Sequence, residues 1–95
     1  MNNLELKEAL ENLAHNIRIL MSGNLSNHKK ITIKKLGEIS GVSSSEINKI
    51  LSLNKNDINL GTIINIAQAL NTSWHMLLKE NLNASTEIFL NKISL

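Results

Sequence analysis

The chain has 95 residues, 42% hydrophobic and 19% charged, with one Phe, one Trp and neither Tyr nor Cys. That length holds one domain with a modest core, which must be aliphatic, and the missing thiols exclude a disulfide framework and a thiolate zinc site, making a reducing cytosol the natural compartment. Net charge is only +2, but lysines 29, 30, 34, 35, 49 and 55 against Glu38 and Glu46 give the stretch from His28 to Lys55 a charge of +4, while each flank sums to −1.

Hydrophobic spacing cuts the chain into short helices. A first helix is predicted from about Leu4 to Met21, where Leu6, Leu10, Leu13, Ile17 and Leu20 form one apolar stripe and Glu5, Glu8, Glu11 and Arg18 lie opposite. Ser22 to Ile31 reads as an exposed basic loop carrying His28, Lys29 and Lys30. Thr32 is the predicted N-cap of a very short second helix that runs through Leu36 and Ile39 and stops at Gly41. Ser43-Ser44-Ser45-Glu46 has the form of a capping box opening a third helix, with Ile47, Ile50 and Leu51 on its buried face.

Asn59 is predicted to cap a fourth, central helix bearing Leu60, Ile63, Ile64, Ile66, Ala67 and Leu70, with Asn71 suited to a left-handed cap. Ser73 is predicted to cap a fifth helix containing Trp74, Leu77 and Leu78. The tail from Asn83 to Leu95 carries Ile88, Phe89, Leu90, Ile93 and Leu95, too much apolar surface for a free end of so small a protein. It is expected to add a helix or strand to a partner subunit. The fold class is therefore all-α, a compact five-helix bundle in residues 1–82 with a C-terminal dimerisation extension in 83–95.

Catalysis finds no support in the residues. There is no nucleophile with a partnered base, no phosphate-binding Gly loop and no paired-carboxylate cleft. His15, His28 and His75 include no i, i+4 pair, so neither a metal nor another cofactor is implied. Trp74 opens a packed helix and has no aromatic partner, which makes it core and not a stacking platform for bases. No window reaches the apolar length of a membrane span, and Met1 to Lys7 lack the regions of a secretion signal. The chain reads as soluble and cytoplasmic, with no membrane partner and no enzymatic activity.

Two short helices joined by a tight turn containing Gly, within a helical domain, are the sequence form of a DNA-binding helix-turn-helix. Here the unit is 33–52: Gly37 lets its helices approach, Gly41 takes the positive φ of the turn, and Val42, Ile47 and Ile50 lock the third helix to the core. Leu36-Gly37-Glu38-Ile39-Ser40-Gly41-Val42-Ser43 with Ile47-Asn48-Lys49-Ile50 resembles the Cro/repressor-type (XRE-type) helix-turn-helix domain. The downstream run from Leu60 to Leu78 is similar to that family's fourth and fifth helices, so the resemblance covers about residues 12 to 80.

What the resemblance implies is a transcriptional regulator, a repressor, that inserts the third helix into the major groove of double-stranded DNA as a homodimer. It assigns base reading to Ser44, Ser45, Asn48 and Lys49, which leave the core face, and phosphate contacts to Lys29, Lys30, Lys34, Lys35 and Lys55. The sequence also departs from the family. Ile33 and Ser44 stand where many members have Gln, the loop before the second helix is longer, and Leu51-Ser52 replaces a common Glu-Arg. Glu46 is better explained as a cap than as a reader of cytosine. These departures and the apolar tail also fit a second reading, an antitoxin or anti-repressor of the same fold whose partner is a toxin or a repressor protein.

Overall fold

The computed structural model describes residues 3–23, 29–55 and 57–79. These form five helices and, among the described residues, no strand: α1 Asn3–Met21, α2 Ile33–Ser40, α3 Ser44–Leu51, α4 Leu60–Ala69 and α5 Trp74–Leu78. Each of the last four starts where a short polar side chain accepts the amide three residues on. Thr32 Oγ1 accepts from Lys35 at 3.1 Å, Ser43 Oγ from Glu46 at 3.1 Å, Asn59 Oδ1 from Thr62 at 2.8 Å and Ser73 Oγ from Met76 at 3.4 Å. All four caps stand where the sequence put them, because each satisfies an amide that the first turn cannot. Among the described residues no helix is long and apolar enough to cross a membrane. The expected dimerisation extension, 83–95, lies outside the described residues.

Helices this short are unstable alone, so their order comes from packing. Each packs against two others in a closed ring, α1 on α3, α3 on α2, α2 on α4, α4 on α5 and α5 back on α1. The ring encloses one aliphatic cluster built from Leu13, Ile17, Leu20, Leu36, Val42, Ile47, Ile50, Leu51, Ile63, Ile66, Leu70 and Leu77, with Met21 and Ala67.

The apolar pattern overstates the core at four places. Leu60, counted with the buried stripes of α4, opens that helix and is 49% exposed. Leu6, on the predicted stripe of α1, is 38% exposed, because the first turns of that helix reach beyond the cluster. Ile39 is 51% exposed: α2 turns Leu36, with Ile33 and Gly37 beside it, toward its neighbours, and Ile39 falls past that arc. Trp74 is half-buried at the cluster's rim and does have a ring partner, the exposed His75, stacked with centroids 3.9 Å apart at 25°.

One polar side chain sits inside the apolar stripe. Asn16 is fully buried, and its Nδ2 donates to the carbonyls of Met76 at 3.2 Å and Leu77 at 3.0 Å, tying the end of α5 to the middle of α1. Asn12 extends the same ladder, donating to the Leu78 carbonyl at 3.5 Å. Carbonyls at a helix end have no partner within the helix, so burying them without a donor is costly. Replacing Asn16 by Ala is expected to cost about 2–3 kcal/mol, the penalty of stranding buried acceptors. Urea unfolding measures it, and an unchanged midpoint would show that α5 is held by its apolar side alone.

Candidate nucleic-acid interface

The unit formed by α2, the turn and α3 is set by close backbone approach. A Cβ built on Gly37 would lie 2.9 Å from the Val42 carbonyl oxygen, so only glycine lets the turn fold this tightly against α2. Gly41 ends α2 with φ 76°, a left-handed conformation that glycine adopts without penalty, and its amide donates to the Gly37 carbonyl at 2.9 Å. The Val42 amide is taken by Ser40 Oγ at 3.1 Å, and Val42 itself is buried.

From that turn α3 leaves in one direction. Its underside, Ile47, Ile50 and Leu51, is 0, 2 and 7% exposed and is covered by α1 and α2. Its far end is closed with equal care. Asn54 donates to the Lys49 carbonyl at 3.0 Å and Leu53 to the Ile50 carbonyl at 3.2 Å, the paired bonds of a Schellman motif. Leu53 is the left-handed residue of that motif, with φ 61°, a place usually given to Gly. The Leu51 carbonyl accepts from Arg18 Nη2 of α1 at 3.0 Å. The same motif ends α4, where Asn71 takes φ 59° as the sequence suggested.

The opposite side of α3 carries Ser44, Ser45, Asn48 and Lys49, all exposed, on an arc of about 140° at the helical repeat. Asn48 folds back on its own helix, Nδ2 donating to the Ser44 carbonyl at 3.0 Å. Its Oδ1 and second N–H keep the acceptor and donor that a bidentate contact to adenine uses. Ser52, the next residue on this face, donates through Oγ to the Asn48 carbonyl at 2.8 Å.

The lysines fall into two groups. Lys29, Lys30, Lys34 and Lys35 are exposed just before and within the first turn of α2, whose neck is closed by the Ile31 amide on the Met21 carbonyl at 2.9 Å. Lys35 approaches Glu38 only to 4.0 Å with both side chains more than half exposed, a pairing that holds it weakly. Lys55 differs. Its Nζ lies 2.9 Å from Glu46 Oε2, with the two side chains 29 and 23% exposed. Glu46 thus makes half of a capping box: its amide takes Ser43 Oγ, and its carboxylate goes to Lys55 instead of back to the Ser43 amide.

Sequence reasoning missed Arg18, Asn16 and Leu53. Asn16 had a signal, a polar residue inside an apolar stripe, which marks a buried group with fixed partners. Arg18 had none, because its partner depends on where α1 meets the end of α3, and Leu53 had none, because a leucine does not mark a left-handed position usually given to Gly. Among the described residues no group of three or more His, Asp or Glu side chains is placed to hold a metal ion.

Residues 27–77 match a family model described as helix-turn-helix. The matched span begins before Lys29, takes in α2, α3 and α4 and ends within α5, so α1 lies outside it. No curated protein and no solved structure matches the chain.

Gly37 offers a test of the close approach. Alanine in a helix interior is worth about 1 kcal/mol over glycine, yet its methyl group would press on a backbone oxygen. Gly37→Ala is therefore expected to destabilise the domain by about 1–2 kcal/mol, within the range for overpacking, in thermal or urea unfolding. A more stable variant would mean that α2 and the turn are less tightly apposed.

Proposed function

This chain belongs to the helix-turn-helix family of the Cro/repressor (XRE) type, a family of DNA-binding transcription regulators, and on that premise we propose that it is a repressor that binds a roughly palindromic operator as a homodimer. The observation that carries the reading is the two-sidedness of α3: an aliphatic underside clamped to the core and an upper side of Ser44, Ser45, Asn48 and Lys49 open to solvent. A helix of that kind fits the major groove. Lys49 is suited to guanine O6 and N7, Asn48 to adenine N6 and N7, and the serines to either base. Lys29, Lys30, Lys34 and Lys35 hold phosphates, fixing register and adding affinity that falls with salt.

In the dimer the two α3 helices stand about 34–36 Å apart, one turn of DNA. Residues 83–95 carry the contact between protomers, since Ile88, Phe89, Leu90, Ile93 and Leu95 give them apolar surface that a second protomer would cover. The protein acts by occupancy alone. It has no chemical step and takes no cofactor.

Binding titrations on duplex DNA separate the two kinds of contact. Asn48→Ala is expected to relax preference at one base position by about 1–3 kcal/mol. Lys34→Ala is expected to weaken all sequences alike and to flatten the log–log salt slope by about 0.9 per protomer. Equal effects of both changes on every sequence would remove the assignment. Truncation after Leu82 is expected to convert a dimer to a monomer in light scattering, and an unchanged mass would take the dimer contact away from this segment.

A further inference from the structure

We propose that Glu46 holds Lys55 back from DNA, so that this ion pair beside the reading face of α3 limits how many phosphates each protomer neutralises. The proposal rests on the DNA-binding reading and refines it. Glu46 lies in the first turn of α3, next to Ser45 and one turn before Lys49. A bare carboxylate there would repel the phosphates that flank a groove. Lys55 Nζ sits on it at 2.9 Å, and together the two side chains present no net charge.

The contrast with Lys35 and Glu38 gives the pair its meaning. That pair is 4.0 Å apart with side chains 61 and 55% exposed, so water and salt compete freely and Lys35 stays available to a phosphate. Glu46 and Lys55 are in hydrogen-bond contact, and their side chains are only 23 and 29% exposed. Screening is weaker there, and the charge-assisted bond is stronger. The position of Lys55 is also prepared by the backbone, since the reversal at Leu53 returns the chain toward α3. The basic stretch of the sequence therefore overstates its usable charge by one lysine, and the same carboxylate that opens α3 sets the salt dependence of binding.

The test is a salt series of anisotropy titrations on a labelled random-sequence duplex, for which phosphate electrostatics supply nearly all the affinity. Glu46→Gln frees Lys55 and is expected to steepen the log–log slope by about 0.9 per protomer, about 1.8 for the dimer, which amounts to about a 12-fold larger loss of affinity between about 50 and about 200 mM salt. Lys55→Met leaves the carboxylate unpaired and is expected to weaken binding. The double variant, with both groups neutral, is expected to return to the wild-type slope.

If instead Lys55 already touches a phosphate, Glu46→Gln leaves the slope unchanged and the double variant flattens it by about 0.9 per protomer, and the proposal is overturned. Lys34→Ala, measured alongside, separates the two levels. A wild-type chain that does not bind duplex DNA removes both readings, whereas a flatter slope for Lys34→Ala with no steepening for Glu46→Gln removes only the ion-pair inference. Circular dichroism checks that each variant is helical, and Glu46→Ser, read in the same way, replaces Glu46→Gln should that protein fail to fold.

Discussion

The burial of Ile47, Ile50 and Leu51 beneath α3 is the constraint on which the remainder of the molecule depends. An eight-residue helix has no stability of its own, so its existence and its direction are both set by what its underside touches. Because α1 and α2 together cover that underside, they also decide which residues face outward. A helix rotated by one residue would turn about 100° and carry Lys49 or, in the other direction, Asn48 toward the core, at the cost of burying a charge or an unsatisfied amide. The outward face of α3 is thus a consequence of apolar packing, and its polar residues contribute little to holding it in place.

The parts of the fold that were legible are those whose cause is local. A cap needs one short polar side chain and an amide three residues on, so Thr32, Ser43, Asn59 and Ser73 announce helix starts by themselves. Gly41 and Asn71 likewise take positive φ for reasons of their own chemistry. The outward set on α3 followed from the spacing of Ile47, Ile50 and Leu51, and all four candidate base readers are exposed. What escaped notice at Arg18 and Asn16 depends on partners distant in sequence. Nothing near Arg18 indicates the Leu51 carbonyl, 33 positions away, and nothing near Asn16 indicates Leu77, 61 positions away. Ile39 was harder still, since its exposure depends on how α2 is rolled against α3 and α4.

Polar groups in this small core serve helix ends. Asn16 and Asn12 supply donors to α5, Arg18 supplies one to α3, and the amides of Leu53, Asn54, Asn71 and Thr72 supply the carbonyls at the ends of α3 and α4. Short helices make this necessary. Each has four carbonyls without internal partners, and in helices of five to ten residues such as α2 to α5 these are about two-fifths or more of the total. A core of aliphatic side chains offers them no donors, so the chain spends a buried Asn and an Arg on the task. The division of labour is then clear: Leu and Ile set distances and rolls, local caps close α2 and α4, and a few long-range donors reach the ends of α3 and α5.

The strained residue at the end of α3 makes sense in the same terms. A leucine in the left-handed region costs about 1–2 kcal/mol, and Leu53 takes that conformation while half exposed, with little burial in return. Its left-handed turn reverses the chain at once, which lets Asn54 reach the Lys49 carbonyl and sets Lys55 beside Glu46, nine positions earlier. A residue continuing in the helical or extended region would direct the chain away from α3 and leave a half-buried carboxylate beside its outward face without a counter-charge. The backbone strain and the ion pair are therefore two halves of one closure. Relieving the first by a residue that prefers other torsions would be expected to loosen the second, coupling the stability of the helix end to the charge that α3 presents.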